Sequence, residues 1–356
     1  MISHSHIIDF GINKFSAPSV VEVSNNRIRF FLKGYKKAKT VKVISDFISK
    51  SKSEMIKVKD GWEIFVRLKP GKHFYKFNID GKDILDKSND LIENHPVLGR
   101  VSVYYKSNYI FDLQDYLGAT TVYVAGNFNN WHVGSLELTL NSNGWELPVF
   151  LPDGTYAYKF IVDGRWIIDP QNPISRPDGS GNYNSYISIG EISIFRLYGH
   201  LDTREVKLVG NFNMWNYTEL SMERTSSGWE LHLALPAGIY EYKFLVDNEW
   251  ITDPNNPYFY FREHGKNSLV SVKSNHYFNL KNYESAKEVM LTGSFNDWDR
   301  LNYKMVKENN DWIFPIYLPP GIHLYNFIVD GEFMNDPNNS EIETSEFGGT
   351  ASVLKL

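Results

Sequence analysis

Residues 122–173 read VYVAGNFNNWHVGSLELTLNSNGWELPVFLPDGTYAYKFIVDGRWIIDPQNP, and most of the chain consists of copies of this stretch. Residues 206–257 repeat it as VKLVGNFNMWNYTELSMERTSSGWELHLALPAGIYEYKFLVDNEWITDPNNP. Residues 289–339 repeat it as VMLTGSFNDWDRLNYKMVKENNDWIFPIYLPPGIHLYNFIVDGEFMNDPNN. A fainter copy starts at Val41 with VKVISDF and resumes with DGWEIFVRLKPGKHFYKFNIDG. The copies keep register: Trp62, Trp145, Trp229 and Trp312 lie 83, 84 and 83 residues apart, and Tyr75, Tyr158, Tyr242 and Tyr325 follow the same steps. Phe128, Phe212 and Phe295 fall 84 and 83 apart. A solenoid unit runs to about 20–50 residues, so this period is that of a small domain.

Within each copy the pattern is that of short strands. Tyr158, Phe160 and Val162 alternate with Lys159 and Ile161, the period of a strand with one face buried. Asn143–Gly144, Asp153–Gly154 and Asp163–Gly164 mark turns between such runs. Asn25–Asn26 marks a hairpin between VVEVSNN and RIRFFLKG. No helical pattern of useful length is present; LQDYLGA (113–119) and LKNYESA (280–286) are each expected to form one helical turn. Strands with regular turn signals predict an all-β protein of β-sandwich domains in tandem. The expected division is a leader over 1–18, a degenerate repeat over 19–106, repeats over 107–190 and 191–273, and a partly degenerate repeat over 274–356. Linkers between them are almost nil, which predicts a semi-rigid array.

Composition narrows the function. The 356 residues are 42% hydrophobic and 22% charged, the balance of a folded chain. A net charge of −5 without a long basic block leaves no footprint for nucleic acid. The chain has no cysteine, so neither disulfides nor a cysteine metal site is expected. The opening MISHSHIIDFGINKF lacks a basic region followed by an apolar one, and no apolar run of about 18 residues occurs. No signal peptide, no membrane span and a cytoplasmic location are therefore expected. His4 and His6 read as a solvated tail, and no metal or cofactor is implied.

Positions that recur without change read as structural. The four tryptophans at Trp62, Trp145, Trp229 and Trp312 open a strand and belong to the core. Gly126, Gly210 and Gly293 read as turn or bulge positions, and Asp169-Pro170, Asp253-Pro254 and Asp336-Pro337 as turn dipeptides. Other positions vary in a way that a core would not tolerate. Trp131 becomes Trp215, Trp298 and, in the first copy, Lys50; Trp166 becomes Trp250, Phe333 and Asp83. Lys159 matches Lys243 and Lys76 but is Asn326 in the last copy; Asn184 becomes Asn267, Ala351 and Val101. Such positions are expected to be exposed. Two exposed tryptophans, a lysine and an asparagine suit a sugar. A pyranose has an apolar C–H face that stacks on a ring, and hydroxyls that need polar partners at its edge.

At these residues, GNFNNW…YKFIVDGRW…DP…NS, the chain resembles carbohydrate-binding module family 48, which includes the glycogen-binding modules of AMP-activated protein kinase β-subunits. The likeness covers the second, third and fourth copies well and the first weakly. It implies an early-set immunoglobulin-like β-sandwich that binds α-1,4-glucans such as glycogen and starch. It also implies the sugar contacts Trp131, Lys159, Trp166 and Asn184 in the second copy, and Trp215, Lys243, Trp250 and Asn267 in the third. The fourth copy keeps Trp298 and a stacking Phe333 but loses the lysine and the asparagine; the first keeps only Lys76. The family's loop residue before the asparagine has no plain match, and Tyr183 or Tyr260 stands nearest to it.

Three roles fit. The first is a multivalent, non-catalytic α-glucan binder that brings a glucan-metabolising enzyme or a kinase to the polymer. The second is an adaptor or structural array on the same fold. The third is an enzyme, which the sequence disfavours. A (β/α)₈ barrel needs about 250 residues that the repeats leave no room for, and no unique pair of carboxylates stands out.

Overall fold

The repeated tyrosine lies at the centre of each repeat. In the strand Gly154–Val162, Tyr158 and Phe160 are fully buried, as are Tyr242 and Phe244 in Gly238–Val246 and Tyr325 and Phe327 in Ile322–Val329. The structure, a computed structural model, describes residues 10–24, 27–262, 265–345 and 348–356. The hairpin turn expected at Asn25–Asn26 and the histidines His4 and His6 lie outside the described residues. Nearly all regular structure is β, in antiparallel sheets. The chain divides into two compact units, residues 1–152 with 156–173, and residues 153–155 with 174–356.

In the first unit, one sheet orders Val20–Ser24, Arg27–Lys33, Gly61–Arg67 and Ile56–Val58. A second orders Val41–Ser45, Gly71–Ile79, Gly99–Lys106 and Ile92–His95, with Lys82–Ile84 paired beside it. Ile28, Phe30 and Leu32 from the first sheet and Val41, Val43, Tyr75 and Phe77 from the second close on one core. The next repeat begins alike, with Tyr109–Leu113 on Trp145–Val149, and Val122–Gly126 on Gly154–Val162 in the register Val124↔Phe160. The segment before Val20 serves both: Asn13 exchanges hydrogen bonds with the Tyr105 backbone, Gly11 bridges Phe150, and Phe10 meets Phe128 edge-on. A Cβ on Gly11 would lie 2.2 Å from the Tyr105 ring, so only glycine passes there.

In the second unit, Ile192–Tyr198 pairs with Gly228–Ala234, and the facing sheet orders Val206–Gly210, Gly238–Val246, Gly265–Val272 and Phe259–Arg262. His276–Leu280 and Asp311–Ile316 start the last sandwich, whose other sheet centres on Val289–Gly293, Ile322–Val329 and Thr350–Lys355. Leu269 of the third repeat is buried in the core of the fourth, with Tyr258 and Tyr260 packed against it. Two sandwiches of this unit are therefore joined by apolar packing, as the short linkers require.

Three polar devices recur and explain the invariant residues. The repeated tryptophans are buried, and their Nε1 groups donate to the carbonyls of Tyr35, Tyr116, His200 and Tyr283 at 2.9–3.1 Å. Each repeated tyrosine donates to an aspartate eleven residues on: the buried Asp86, Asp169 and Asp253, and the half-buried Asp336. An asparagine three residues further (Asn89, Asn172, Asn256, Asn339) donates to the same phenol oxygen. Asp80, Asp163, Asp247 and Asp330 take positive φ in the hairpin turns and accept backbone N–H groups from the residues that lead into the neighbouring strand. The aspartates of the Asp-Pro dipeptides are structural, as the sequence predicts.

Two expectations change. LQDYLGA and LKNYESA form turns without a helix, because Asp115 and Asn282 adopt left-handed backbone angles. The only helical elements among the described residues are four single 3₁₀ turns: Lys50–Lys52, Asn127–Asn129, Asn211–Asn213 and Ser294–Asn296. Gly126, Gly210 and Gly293 are extended, with φ near ±180°, so they are needed for close approach and not for a turn. A Cβ on Gly126 would stand 2.4 Å from the Ala157 carbonyl oxygen.

Candidate functional site

The first tryptophan of each platform is placed by the motif around it. After Gly126 the chain makes the 3₁₀ turn Asn127–Asn129, and then Asn130 and Trp131 both adopt left-handed angles, φ 52° and 57°. Met214–Trp215 and Asp297–Trp298 repeat this pair. A bulky residue at positive φ is an outlier that the surroundings must hold in place. Here the Trp131, Trp215 and Trp298 N–H groups donate to the Gly126, Gly210 and Gly293 carbonyls at 2.8, 2.8 and 3.0 Å. Asn129 closes the loop: its Oδ1 accepts the Gly126 N–H at 2.9 Å and its Nδ2 donates to the His132 carbonyl at 3.0 Å. Asn213 and Asn296 make the same bonds to Gly210 and Asn216, and to Gly293 and Asp299. These anchoring asparagines were legible only as a recurring letter in GNFN, GNFN and GSFN.

The second ring stands on the hairpin that follows the central strand. Trp166 lies opposite Ile161, Trp250 opposite Leu245 and Phe333 opposite Ile328. Those aliphatic residues are buried, although the strand period places them on the outer face. The aromatic rings beside them remain open: Trp166 is 46% and Trp250 45% exposed. In the second repeat the Trp131 and Trp166 ring centroids are 6.3 Å apart with planes at 46°. Lys159 sits two residues before Ile161 on the same strand face and is half-buried; Lys243 holds the same place before Leu245.

The asparagine positions differ from expectation. Asn184, Asn267, Ala351 and Val101 are all buried, so the exchange of asparagine for alanine and valine reflects an interior site. Asn184 belongs to the second unit, whereas Trp131, Lys159 and Trp166 belong to the first. In the third repeat the Asn267 Nδ2 donates to Glu241 at 2.8 Å. Glu241, only 7% exposed, also accepts two bonds from the Arg262 guanidinium, which stacks on Tyr260 at 4.3 Å. Tyr260 in turn faces Tyr303 of the next repeat, so it serves packing, while Tyr183 is exposed. Glu241 and Arg262 carried no signal in the repeat comparison, because neither recurs.

The outer copies have altered platforms. In the first, Lys76 pairs with Asp83 at 2.8 Å, joining the two positions that hold lysine and tryptophan elsewhere. Hydrogen bonds from Lys76 and Asn78 hold the Asp83 carboxyl below its usual range. In the fourth, Asn326 is buried and its Nδ2 donates to the Met334 and Thr350 carbonyls and to Asn335. The Arg300 guanidinium covers the Phe333 ring at 4.8 Å.

Two shallow depressions are lined by His200, Thr203, Asp247 and Glu249, and by Asn256, Tyr258, Leu269 and Phe314. Neither includes a platform tryptophan. Among the described residues no cluster of metal-ligating side chains occurs, and no helix is long and apolar enough to cross a membrane.

Comparison with known proteins places these features. The family model described as the glycogen recognition site of AMP-activated protein kinase matches residues 111–194, 198–278 and 276–355. The β-1 subunit of 5'-AMP-activated protein kinase from Sus scrofa is 44% identical over 57 residues, 16% of this chain and 45% of the relative. The β-2 subunit from Mus musculus is 40% identical over 73 residues, 20% of this chain and 26% of the relative. The matches thus span less than half the length of these curated relatives. Among solved structures, a maltogenic amylase from S. marinus aligns over 73% of this chain and 31% of its own, at 12% identity and a TM-score of 0.22. A Bacteroides ovatus protein of a mixed-linkage glucan utilization locus aligns over 80% of this chain and 84% of its own, at 11% identity and a TM-score of 0.14.

Proposed function

The chain belongs to the family described as the glycogen recognition site of AMP-activated protein kinase, and on that premise we propose that it is a non-catalytic, multivalent binder of α-glucan. The observation that carries this reading is the exposed Trp166 beside Trp131, which is half-buried where the sequence predicts exposure, matched by the exposed Trp250 and the half-buried Trp215 in the third repeat. The rings supply a stacking surface for pyranose C–H faces. Lys159 and Lys243 supply a charged donor for hydroxyls at the edge. Trp298 and Phe333 form the weakest platform, since Arg300 occupies the ring face.

Two platforms on one short array act together. The second binds at an effective concentration that raises avidity by about 10²–10⁴-fold where one polymer reaches both. The division into repeats at 19–106, 107–190, 191–273 and 274–356 assigns one platform to each of the two central repeats. In this reading the protein is cytoplasmic and brings a glucan-metabolising enzyme or a kinase to glycogen or starch-like polymer. The adaptor role is supported by the Lys76–Asp83 pair, which fills the platform position of the first repeat with an ion pair unsuited to stacking.

The test is sedimentation with insoluble starch and retention on glycogen, with cellulose as control. The reading expects binding to the two α-glucans alone. If the folded protein stays in the supernatant with all three polymers, the sugar-binding role is refuted and the adaptor role takes its place.

A further inference from the structure

The formal charge is unevenly distributed. Residues 19–106 carry 19 Lys and Arg against 10 Asp and Glu, a formal +9, while residues 107–356 carry 17 against 31, a formal −14. The repeat that lacks the sugar platform is thus the basic one. Part of its charge gathers on the outer face of the sheet built by Val20–Ser24, Arg27–Lys33, Gly61–Arg67 and Ile56–Val58. Ile28, Phe30 and Leu32 point into the core, so Arg27, Arg29, Phe31 and Lys33 face outward. Register adds Arg67 opposite Arg27, Phe65 opposite Arg29, and Glu63 opposite Phe31. Val21 stands opposite Arg29 and Ile56 opposite Glu63, both exposed.

Two features set this face apart from a merely solvated one. Like charges directly opposite on neighbouring strands are unfavourable, yet Arg27 and Arg67 are paired so. Arg27 lies over the Phe65 ring at 4.3 Å and Arg29 over Phe31 at 4.4 Å, which spreads planar cations across an apolar floor. The outer face at the same place in the second repeat presents Asp112 and Glu146, so the basic character is not a demand of the fold.

We propose that this face of the first repeat docks an acidic polypeptide segment in which carboxylates alternate with aliphatic residues. Charge complementarity requires an anionic partner. A guanidinium already lies over a face of the Phe31 and Phe65 rings and competes with base stacking there, which disfavours single-stranded nucleic acid. Arginine, aromatic and aliphatic side chains together are the composition of a protein interface core. Carboxylates engage the Arg27 and Arg67 guanidinium edges bidentately, the Arg29 Nε being already bonded to Glu63 at 2.7 Å, while Val21 and Ile56 meet the aliphatic side chains.

The experiment uses the full chain and fluorescence anisotropy with a labelled peptide of alternating Glu and Val. A Glu-Ser peptide, an oligothymidine and phosphatidylserine vesicles are run beside it. The Glu-Val peptide is expected to bind more tightly than the other three, and more weakly as salt rises. Arg27→Glu with Arg67→Glu replaces one like-charged pair by another, so the fold is retained, which a thermal melt checks. This change should weaken binding by about tenfold or more. Lys82→Glu with Lys87→Glu makes the same change in net charge away from the face and should alter binding less than about twofold. Equal loss in both double variants, tighter binding of oligothymidine or vesicles, or no binding of the peptide would each overturn the proposal.

Discussion

Replacing Trp250 by alanine tests the platform where the structure makes its clearest quantitative statement. A tryptophan presents about 150–250 Å² in all, and at 45% exposure roughly 70–110 Å² of Trp250 is open to solvent. If a pyranose covers one face of that ring, on the order of 100 Å² of apolar surface from both partners leaves water, about 2.5 kcal/mol at ~25 cal/mol per Å². Ordering the sugar and the ring takes back part of this, leaving an expected loss of about tenfold in affinity for the site. The cost to the fold is small, about 1 kcal/mol or less, because the ring is half-exposed. The assay is calorimetric titration with a soluble malto-oligosaccharide, followed by affinity electrophoresis in glycogen. Trp166→Ala and Trp250→Ala alone each remove one platform, and the double variant removes both. The expected order of retention is wild type, then the singles, then the double variant. A double variant that is folded by near-ultraviolet circular dichroism, yet is retained like wild type, would refute the stacking argument.

Three further outcomes follow from other parts of the structure. Phe333→Ala should leave glycogen retention unchanged within about twofold, since the Arg300 guanidinium already occupies the ring face; the same electrophoresis reads it. Asn213→Ala should lower glucan affinity although Trp215 is kept, because the amide that pins the left-handed pair Met214–Trp215 is gone; titration with the oligosaccharide measures it, and an unchanged affinity would show that the loop holds without its anchor. Stability should fall as pH rises past about 10. Burial and the neighbouring aspartates push the Tyr75, Tyr158, Tyr242 and Tyr325 phenols well above their ordinary range, so the unfolded chain releases those protons first and is favoured in alkali. Burial alone pushes Tyr240 up to about 12 in the same sense. Chemical denaturation at pH 8 and at about pH 11 checks the sign, and equal midpoints would contradict it.

What the sequence determined by itself was whatever repeats. The four-fold recurrence of Trp62, Trp145, Trp229 and Trp312 marks them as core, and their buried indoles bear this out. The alternation around Tyr158 specifies an antiparallel strand, and the aspartate-glycine turns specify where strands reverse. Trp166, Trp250 and Phe333 read as exposed because aspartate replaces them in the first copy, and they are exposed. That inference depends on each position having the same surroundings in every copy. It holds on this hairpin, where the side chain keeps a large part of its surface open to solvent in each of the last three copies.

The same inference failed at Asn184 and Asn267, and tertiary structure alone decided the reason. Variation there follows a change in buried neighbours: Asn267 meets Glu241, and Arg262 completes the pair. Neither partner recurs, so no spacing announces them. Whether Phe333 offers a bare ring depends on Arg300, thirty-three residues away in sequence, whose guanidinium reaches it through the fold. The basic face of the first repeat is likewise invisible as a run of letters. Its cations are spaced by the two-residue period of strands, and only pairing across the sheet brings Arg27 to Arg67 and Arg29 to Phe65. Period and turn chemistry are local properties of the chain, so sequence carries them. What a side chain meets across a sheet or between repeats is set by packing, and it becomes legible only when the chain has folded.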